Sequence, residues 1–137
     1  MNDMNWIRKK EMAHYYSEYL RKGFNWNYFL TIRTPYKIYT KTPLTWSYRI
    51  LENKKVDKVF YVVERDVGDW SNKHVHMLLE TNQSLDYKET RSSLGKVAVG
   101  DFKEIRDLKA VTGYVSKWIN DCEFNLIFSF NFIHSFL

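Results

Sequence analysis

At 137 residues, 45% hydrophobic and 18% aromatic, the chain suffices for one domain with a packed core, and its five glycines and two prolines exclude a long flexible arm. A single cysteine, Cys122, excludes an internal disulfide framework and points to a reducing, cytoplasmic setting. The 21 Lys and Arg exceed the 16 Asp and Glu by a net charge of +5, which favours an anionic partner, and 5 Trp, 10 Tyr and 9 Phe suit a surface that stacks exposed bases.

Met12, Tyr15, Tyr16, Tyr19 and Leu20 recur at helical spacing, which predicts an amphipathic helix over 8–22 that ends near Gly23. "WNYFLTIRT" (26–34) is dense in aromatic and β-branched residues and reads as a strand closed by Pro35. Beyond a loop through Pro43, Leu44, Tyr48 and Leu51 set a second helix in "LTWSYRILENKK" (44–55). "DKVFYVVERD" (57–66) is a strand with a continuous apolar centre, "VGDWSN" is turn-like, and "KHVHMLLE" (73–80) is the next strand. So short a connection makes the two an antiparallel hairpin. "LDYKETRSSLGK" (85–96) reads as a helix and "KVAVGDFKEI" (96–105) as a strand that bulges or bends at its glycine. "RDLKAVTGYVSKWIN" (106–120) places Leu108, Val111, Val115, Trp118 and Ile119 on one arc, with Asp107 able to cap the start.

The apolar tail, 123–137, alternates at Phe124, Leu126, Phe128, Phe130 and Phe132. It reads as an edge strand, either swapped into a second copy to make a homodimer or packed on its own domain. Polar residues interrupt it, so no stretch reaches the roughly 20 apolar residues of a membrane span, and the N-terminus lacks a secretory layout. The order predicts an α+β fold: a single domain over 1–137 with a core of about 26–120. That core is a split βαβ, ferredoxin-like antiparallel sheet with helices on one face, preceded by an extra N-terminal helix.

Residues two apart on a strand share a face, so His74 and His76 point one way while Val75 and Met77 point the other. Such a pair is open to two readings, hydrogen-bonded strand histidines or metal ligands. A turn centred near Asp69 puts Glu64 opposite His74, with Cβ atoms about 4.5–5.5 Å apart. Two imidazoles and a carboxylate with open positions suit a divalent ion that also accepts substrate oxygens, and Mn²⁺ tolerates imidazole better than Mg²⁺. Glu80 shares the parity of His76 but lies far from the inferred pairing, so it ranks behind Glu64. Tyr114 and Lys117 stand three apart on the last helix, side by side at the edge of its apolar arc. They read either as a rim aromatic and a solvated charge or as groups presented to the histidine face.

Taken together, "FLTIRTP" (29–35), "HVH" (74–76) and "YVSK" (114–117) resemble, in order, the three motifs of the HUH endonucleases. More narrowly, the chain resembles the single-tyrosine rolling-circle replication initiators of viruses, phages and plasmids, and the resemblance spans 26–120. It implies a metal-dependent nickase that cuts and rejoins single-stranded DNA at a replication origin through a 5′-phosphotyrosine link. Tyr114 is then the nucleophile, Lys117 its positioning cation, and Glu64, His74 and His76 the ligands of Mn²⁺ or Mg²⁺. Candidates for DNA contact are Thr31, Arg33, Trp26, Tyr28, Trp46 and Lys73, although Trp26 and Trp46 read equally well as core. No helicase domain follows the tyrosine helix, so a separate host or viral helicase is expected. The alternatives are a single-tyrosine transposase and a non-catalytic binder of single-stranded nucleic acid.

Overall fold

The structure, a computed structural model, describes residues 3–65, 73–95, 98–117 and 124–129. The elements are α1 (Asp3–Gly23), β1 (Tyr28–Arg33), α2 (Lys41–Leu51), β2 (Val56–Arg65), β3 (Lys73–Thr81), α3 (Tyr87–Leu94), β4 (Ala98–Glu104), α4 (Leu108–Ser116) and β5 (Phe124–Phe128). The five strands form one antiparallel sheet in the order β4-β1-β3-β2-β5. The fold is therefore α+β, with β1-α2-β2-β3-α3-β4 in the ferredoxin-like arrangement and α1 as the additional N-terminal helix.

The helices cover both faces of the sheet, not the one face expected from the sequence. On one side Ile38, Trp46, Ile50, Leu85 and Leu94 pack on Leu30, Ile32, Val59, Tyr61, Val63, Val75, Met77 and Leu79. On the other, Leu20 of α1 and Val115 of α4 join Phe24 and Trp26 against Phe60, Val62 and Leu78. The reason lies in β2 and β3, which carry apolar side chains on both faces, Phe60, Val62 and Leu78 on one and Val59, Tyr61, Val63, Val75, Met77 and Leu79 on the other. Covering one face alone would leave Phe60, Val62 and Leu78 in water, a loss of about 1.5–3 kcal/mol for each side chain.

Local chemistry sets the helix ends. Asp86 and Glu89 form a reciprocal capping box at the start of α3, and Asp107 accepts a hydrogen bond from the Ala110 amide at the start of α4. α2 begins at Lys41, before the expected start, because Pro43 sits in its first turn, where an amide hydrogen has no partner within the helix. Trp118 and Ile119 of the expected last helix lie outside the described residues, as does the turn at 66–72. β5 pairs with β2 of its own chain, from Lys58↔Phe128 to Val62↔Phe124, so this part of the tail packs as an edge strand on its own domain. Phe130 and Phe132 are outside the described residues.

One irregularity matters for function. β1 and β4 pair as Thr31↔Asp101 and then Ile32↔Val99, so Gly100 is an extra residue, the bulge its glycine foreshadowed. Without it, Asp101 would fall opposite Leu30 and turn to the opposite face. No helix among the described residues is long and apolar enough to cross a membrane.

Candidate active site

The site is built at the end of the sheet where β1 and β2 finish and β3 begins. Glu64 pairs with His74 across the hairpin, Val62 with His76, and on the other flank Thr31 pairs with His76 and Arg33 with His74. All these side chains share the face covered by α1 and α4. Strand pairing alone thus brings a carboxylate and two imidazoles together.

Their donor atoms converge. Glu64 Oε2 lies 2.6 Å from His74 Nε2 and 2.5 Å from His76 Nε2. One ligand atom from each residue lies within 4.8 Å of the others, and both histidines are buried. The opposite nitrogen of His76, Nδ1, is 3.0 Å from the Thr31 hydroxyl. A hydroxyl both donates and accepts, so Thr31 satisfies either tautomer. With the ring's Nε2–H on Glu64, Nδ1 accepts from Thr31; with Nε2 offered to a cation, Nδ1–H donates to it. The donor set of two imidazoles and one carboxylate, with the ring of His76 oriented from behind, fits a divalent transition ion such as Mn²⁺ better than the all-oxygen preference of Mg²⁺.

Aromatic rings wall this cluster. Phe29 stacks on His76 at 5.6 Å between centroids, and Tyr114 meets His76 edge-on at 5.2 Å and Phe29 at 6.2 Å. α4 delivers Tyr114 because Val115 on the neighbouring face is fully buried against the sheet, which turns the tyrosine toward the cluster. Tyr114 nevertheless remains 39% exposed, so its ring borders both the cluster and solvent. Lys117 Nζ sits 5.7 Å from the centre of the Tyr114 ring, a cation held over its face. An open cleft of about 460 Å³ joins Phe29, Thr31, Arg33, His74, His76, Asp101, Lys103 and Tyr114.

Burial pushes the His76 imidazole below its ordinary value, against the pull of the Glu64 carboxylate, so the ring is kept neutral and available as a ligand. Burial also pushes the Tyr114 phenol up; Glu64 adds to the rise, Arg33 opposes it, and Asp101 adds again. At neutral pH the tyrosine is thus a protonated phenol whose ionisation needs nearby positive charge.

Several residues expected to touch DNA have other work. Trp26 and Trp46 are 4% and 3% exposed and belong to the two cores, so neither offers a face to a base. Tyr28 lies on the opposite face of the sheet, stacked on Phe102, with its hydroxyl accepting the Leu85 amide. Thr31 is 7% exposed and serves His76. Glu80 is engaged by Lys58 at 2.7 Å and by the Asn25 amide, away from the cluster. Of the group, Thr31 and Arg33 line the cleft; the side chain of Lys73 is outside the described part. Phe29, Asp101 and Lys103 are site residues that sequence reasoning missed. For Asp101 and Lys103 the available signal was Gly100, since a bulge there reverses the facing of everything after it.

A family model described as "Virus, 117-like" matches residues 23–118. No curated protein matches the chain. Among solved structures, the hypothetical protein ORF119 from Sulfolobus islandicus rod-shaped virus 1 is similar, with a TM-score of 0.52 and 24% identity over 83% of this chain and 96% of that one. That likeness concerns the fold alone.

Proposed function

The chain belongs to the 117-like family of virus proteins, and from the geometry of its site we propose that it is a metal-dependent nickase and joiner of single-stranded DNA acting through Tyr114, in the initiation of rolling-circle-type replication. One observation carries the reading: a phenol stands 5.2 Å, ring to ring, from a histidine whose Nε2 converges with a second imidazole on one carboxylate oxygen. A structural role for the histidines explains their mutual contacts. It does not explain a partly exposed tyrosine that lines an open cleft with Arg33 and Lys103 and carries a lysine over its ring.

Glu64, His74 and His76 would hold a divalent cation, which when bound offsets negative charge on the scissile phosphate. The residues of the chain do the rest. Arg33 and Lys103 draw the backbone phosphate into the cleft. Phe29 and His76 fix the plane of the Tyr114 ring, Lys117 lies over it as a positioning cation, and the Arg33 charge favours the phenolate over the phenol. The Tyr114 oxygen attacks phosphorus and the P–O3′ bond breaks. The proton lost by the phenol is matched by the one that the departing 3′ oxygen takes up to become a hydroxyl. The 5′-phosphotyrosine retains the phosphodiester bond energy, so another 3′-hydroxyl can reverse the step and rejoin the strand. A flat, open sheet cleft admits a single strand more readily than a stacked duplex.

The test is a denaturing gel after incubation with a pool of random single-stranded DNA and Mn²⁺. The expected result is a slower protein band that resists denaturation, disappears with a chelator, and is absent from Tyr114→Phe, which still binds Mn²⁺. An adduct that persists in Tyr114→Phe would remove the tyrosine from its role. Binding without any adduct would reduce the protein to a single-strand binder.

A further inference from the structure

β1 ends at Arg33, which lies beside His74 on one side and Ala98 on the other, so the loop 34–40 starts at the sheet end that carries the cluster. Three residues of chain span at most about 10 Å, which keeps Tyr36 close to the Arg33 side of the cleft. The loop turns two tyrosines to solvent: Tyr36 is 52% and Tyr39 64% exposed. Between them Ile38 is buried in the core under α2, pinning the middle of the loop. Hydrogen bonds fix it further. The Thr34 hydroxyl donates to the Tyr36 carbonyl at 2.6 Å, the Tyr39 amide donates to the Thr42 hydroxyl at 3.1 Å, and the Thr42 amide returns to the Tyr39 carbonyl at 3.0 Å. Lys37 Nζ lies 5.3 Å from the centre of the Tyr39 ring.

Two exposed rings and a lysine whose ammonium lies over one of them, on a backbone held by hydrogen bonds and a buried anchor, gather aromatic surface and positive charge on one loop. Single-stranded DNA is the partner this chemistry fits. Bases stack on aromatic faces without regard to sequence, a lysine neutralises a backbone phosphate, and the chain as a whole carries a charge of +5. Ordering the loop before binding also removes part of the entropic cost of capturing a flexible strand. We infer that Tyr36 and Tyr39, with Lys37, form a base-stacking subsite that holds the single strand beside the phosphate engaged at the Glu64–His74–His76 cluster. The inference rests on the reading of the chain as a single-strand nickase and adds the surface that positions the strand.

The experiment uses the full chain and a fluorescent mixed-sequence single-stranded oligonucleotide, with a second series carrying 2-aminopurine at successive positions. Fluorescence anisotropy reads affinity and 2-aminopurine quenching reads stacking, while the covalent adduct is scored separately on a denaturing gel. Replacing both Tyr36 and Tyr39 with alanine should weaken binding about tenfold to a hundredfold and abolish quenching. Replacing both with phenylalanine should retain both signals. Tyr15→Ala, at an exposed tyrosine on α1, should leave affinity unchanged and controls for loss of aromatic surface in general. Affinity of the double alanine variant within twofold of the parent, or an equal loss in Tyr15→Ala, overturns the subsite, as does failure of the parent to bind the oligonucleotide. Failure of the nickase reading shows instead as absence of the adduct while tyrosine-dependent binding and quenching persist.

Discussion

Replacing Thr31 with valine probes the cluster through a residue outside the three proposed cation ligands. Valine matches threonine in shape and suits the middle of a central strand, so the pairing of β1 with β3 and β4 is retained. The change removes one hydroxyl, 3.0 Å from His76 Nδ1. Thr31 is only 7% exposed, so bulk water does not take its place. Two effects follow, each with its own scale. Leaving a buried imidazole nitrogen without its partner costs about 1–3 kcal/mol. In a domain of this size that lowers the melting temperature by about 3–12 °C. Loss of the group that orients the ring and fixes its tautomer weakens the metal by about 10–100-fold, roughly 1.4–2.7 kcal/mol. Thr31→Ser keeps the hydroxyl and should recover most of the affinity, although it gives up a methyl group. Calorimetric titration with Mn²⁺ reads the affinity, and melts with and without Mn²⁺ separate it from stability. Equal Mn²⁺ affinity in a folded Thr31→Val protein would refute Nε2 of His76 as the ligating nitrogen, and so would equal losses in the valine and serine variants.

Because burial holds the Tyr114 phenol above its ordinary value, the rate of adduct formation should climb with pH from neutrality toward about 10. A plateau near neutral pH would show that ionisation of this phenol does not limit the step. The metal-free protein should lose stability on mild acidification for a different reason. Burial lowers His76 below 6.5, so between the folded value and 6.5 the unfolded chain binds the extra proton more readily. That contribution is complete above 6.5 and is lost as the pH falls through the folded value. Urea unfolding across this range should therefore show a steeper fall for the parent than for His76→Gln, and parallel curves would contradict the direction of the shift. Leu78→Ala, at a fully buried position between Phe60 and the helices α1 and α4, should cost about 2–5 kcal/mol in the same assay. A loss within measurement error would mean that the α1–α4 layer does not seal this face.

The hairpin register is legible in the sequence because period-two alternation leaves few choices. Glu64 falls opposite His74, with the two imidazoles on one face, as the spacing of "VERD" and "KHVHM" requires. Tyr114 and Lys117 are legible for a similar reason: Leu108, Val111 and Val115 define the buried side of α4, and the pair sits on its margin. The uses of Trp26, Trp46 and Tyr28 are not legible. An aromatic ring beside a polar neighbour suits a core and a stacking surface equally, and only the packing partner decides. Trp26 donates its indole hydrogen to the Leu20 carbonyl and stacks on Phe24, which places it beneath α1. Nothing in the local pattern around residue 26 foretells that contact. Likewise, composition does not reveal that an extra helix and α4 cover the second face, because β2 and β3 read as apolar whether one layer or two packs on them.

The opposite wall of the cleft shows where counting residues fails for a physical reason. Along β4 a strict alternation would set Val99, Asp101 and Lys103 on one face, and it would place Asp101 with the core. The structure keeps Val99 in the core and turns Asp101 and Lys103 into the cleft, because Gly100 takes no partner on β1 and the facing reverses after it. Phe102 then packs on Tyr28 on the core side, so the reversal is held by a partly buried, stacked ring as well as by the ladder. Gly100 can occupy this position with room to spare, since a Cβ there would approach only the Thr31 carbonyl, at 3.8 Å. The backbone of Thr31 is thus the reference for the wall on one flank, while its hydroxyl orients His76 on the other. A single short strand, β1, couples the Glu64–His74–His76 cluster to the charged wall that faces it. The motif "FLTIRTP" therefore acts less as a row of DNA contacts than as the spine on which the two halves of the site are aligned.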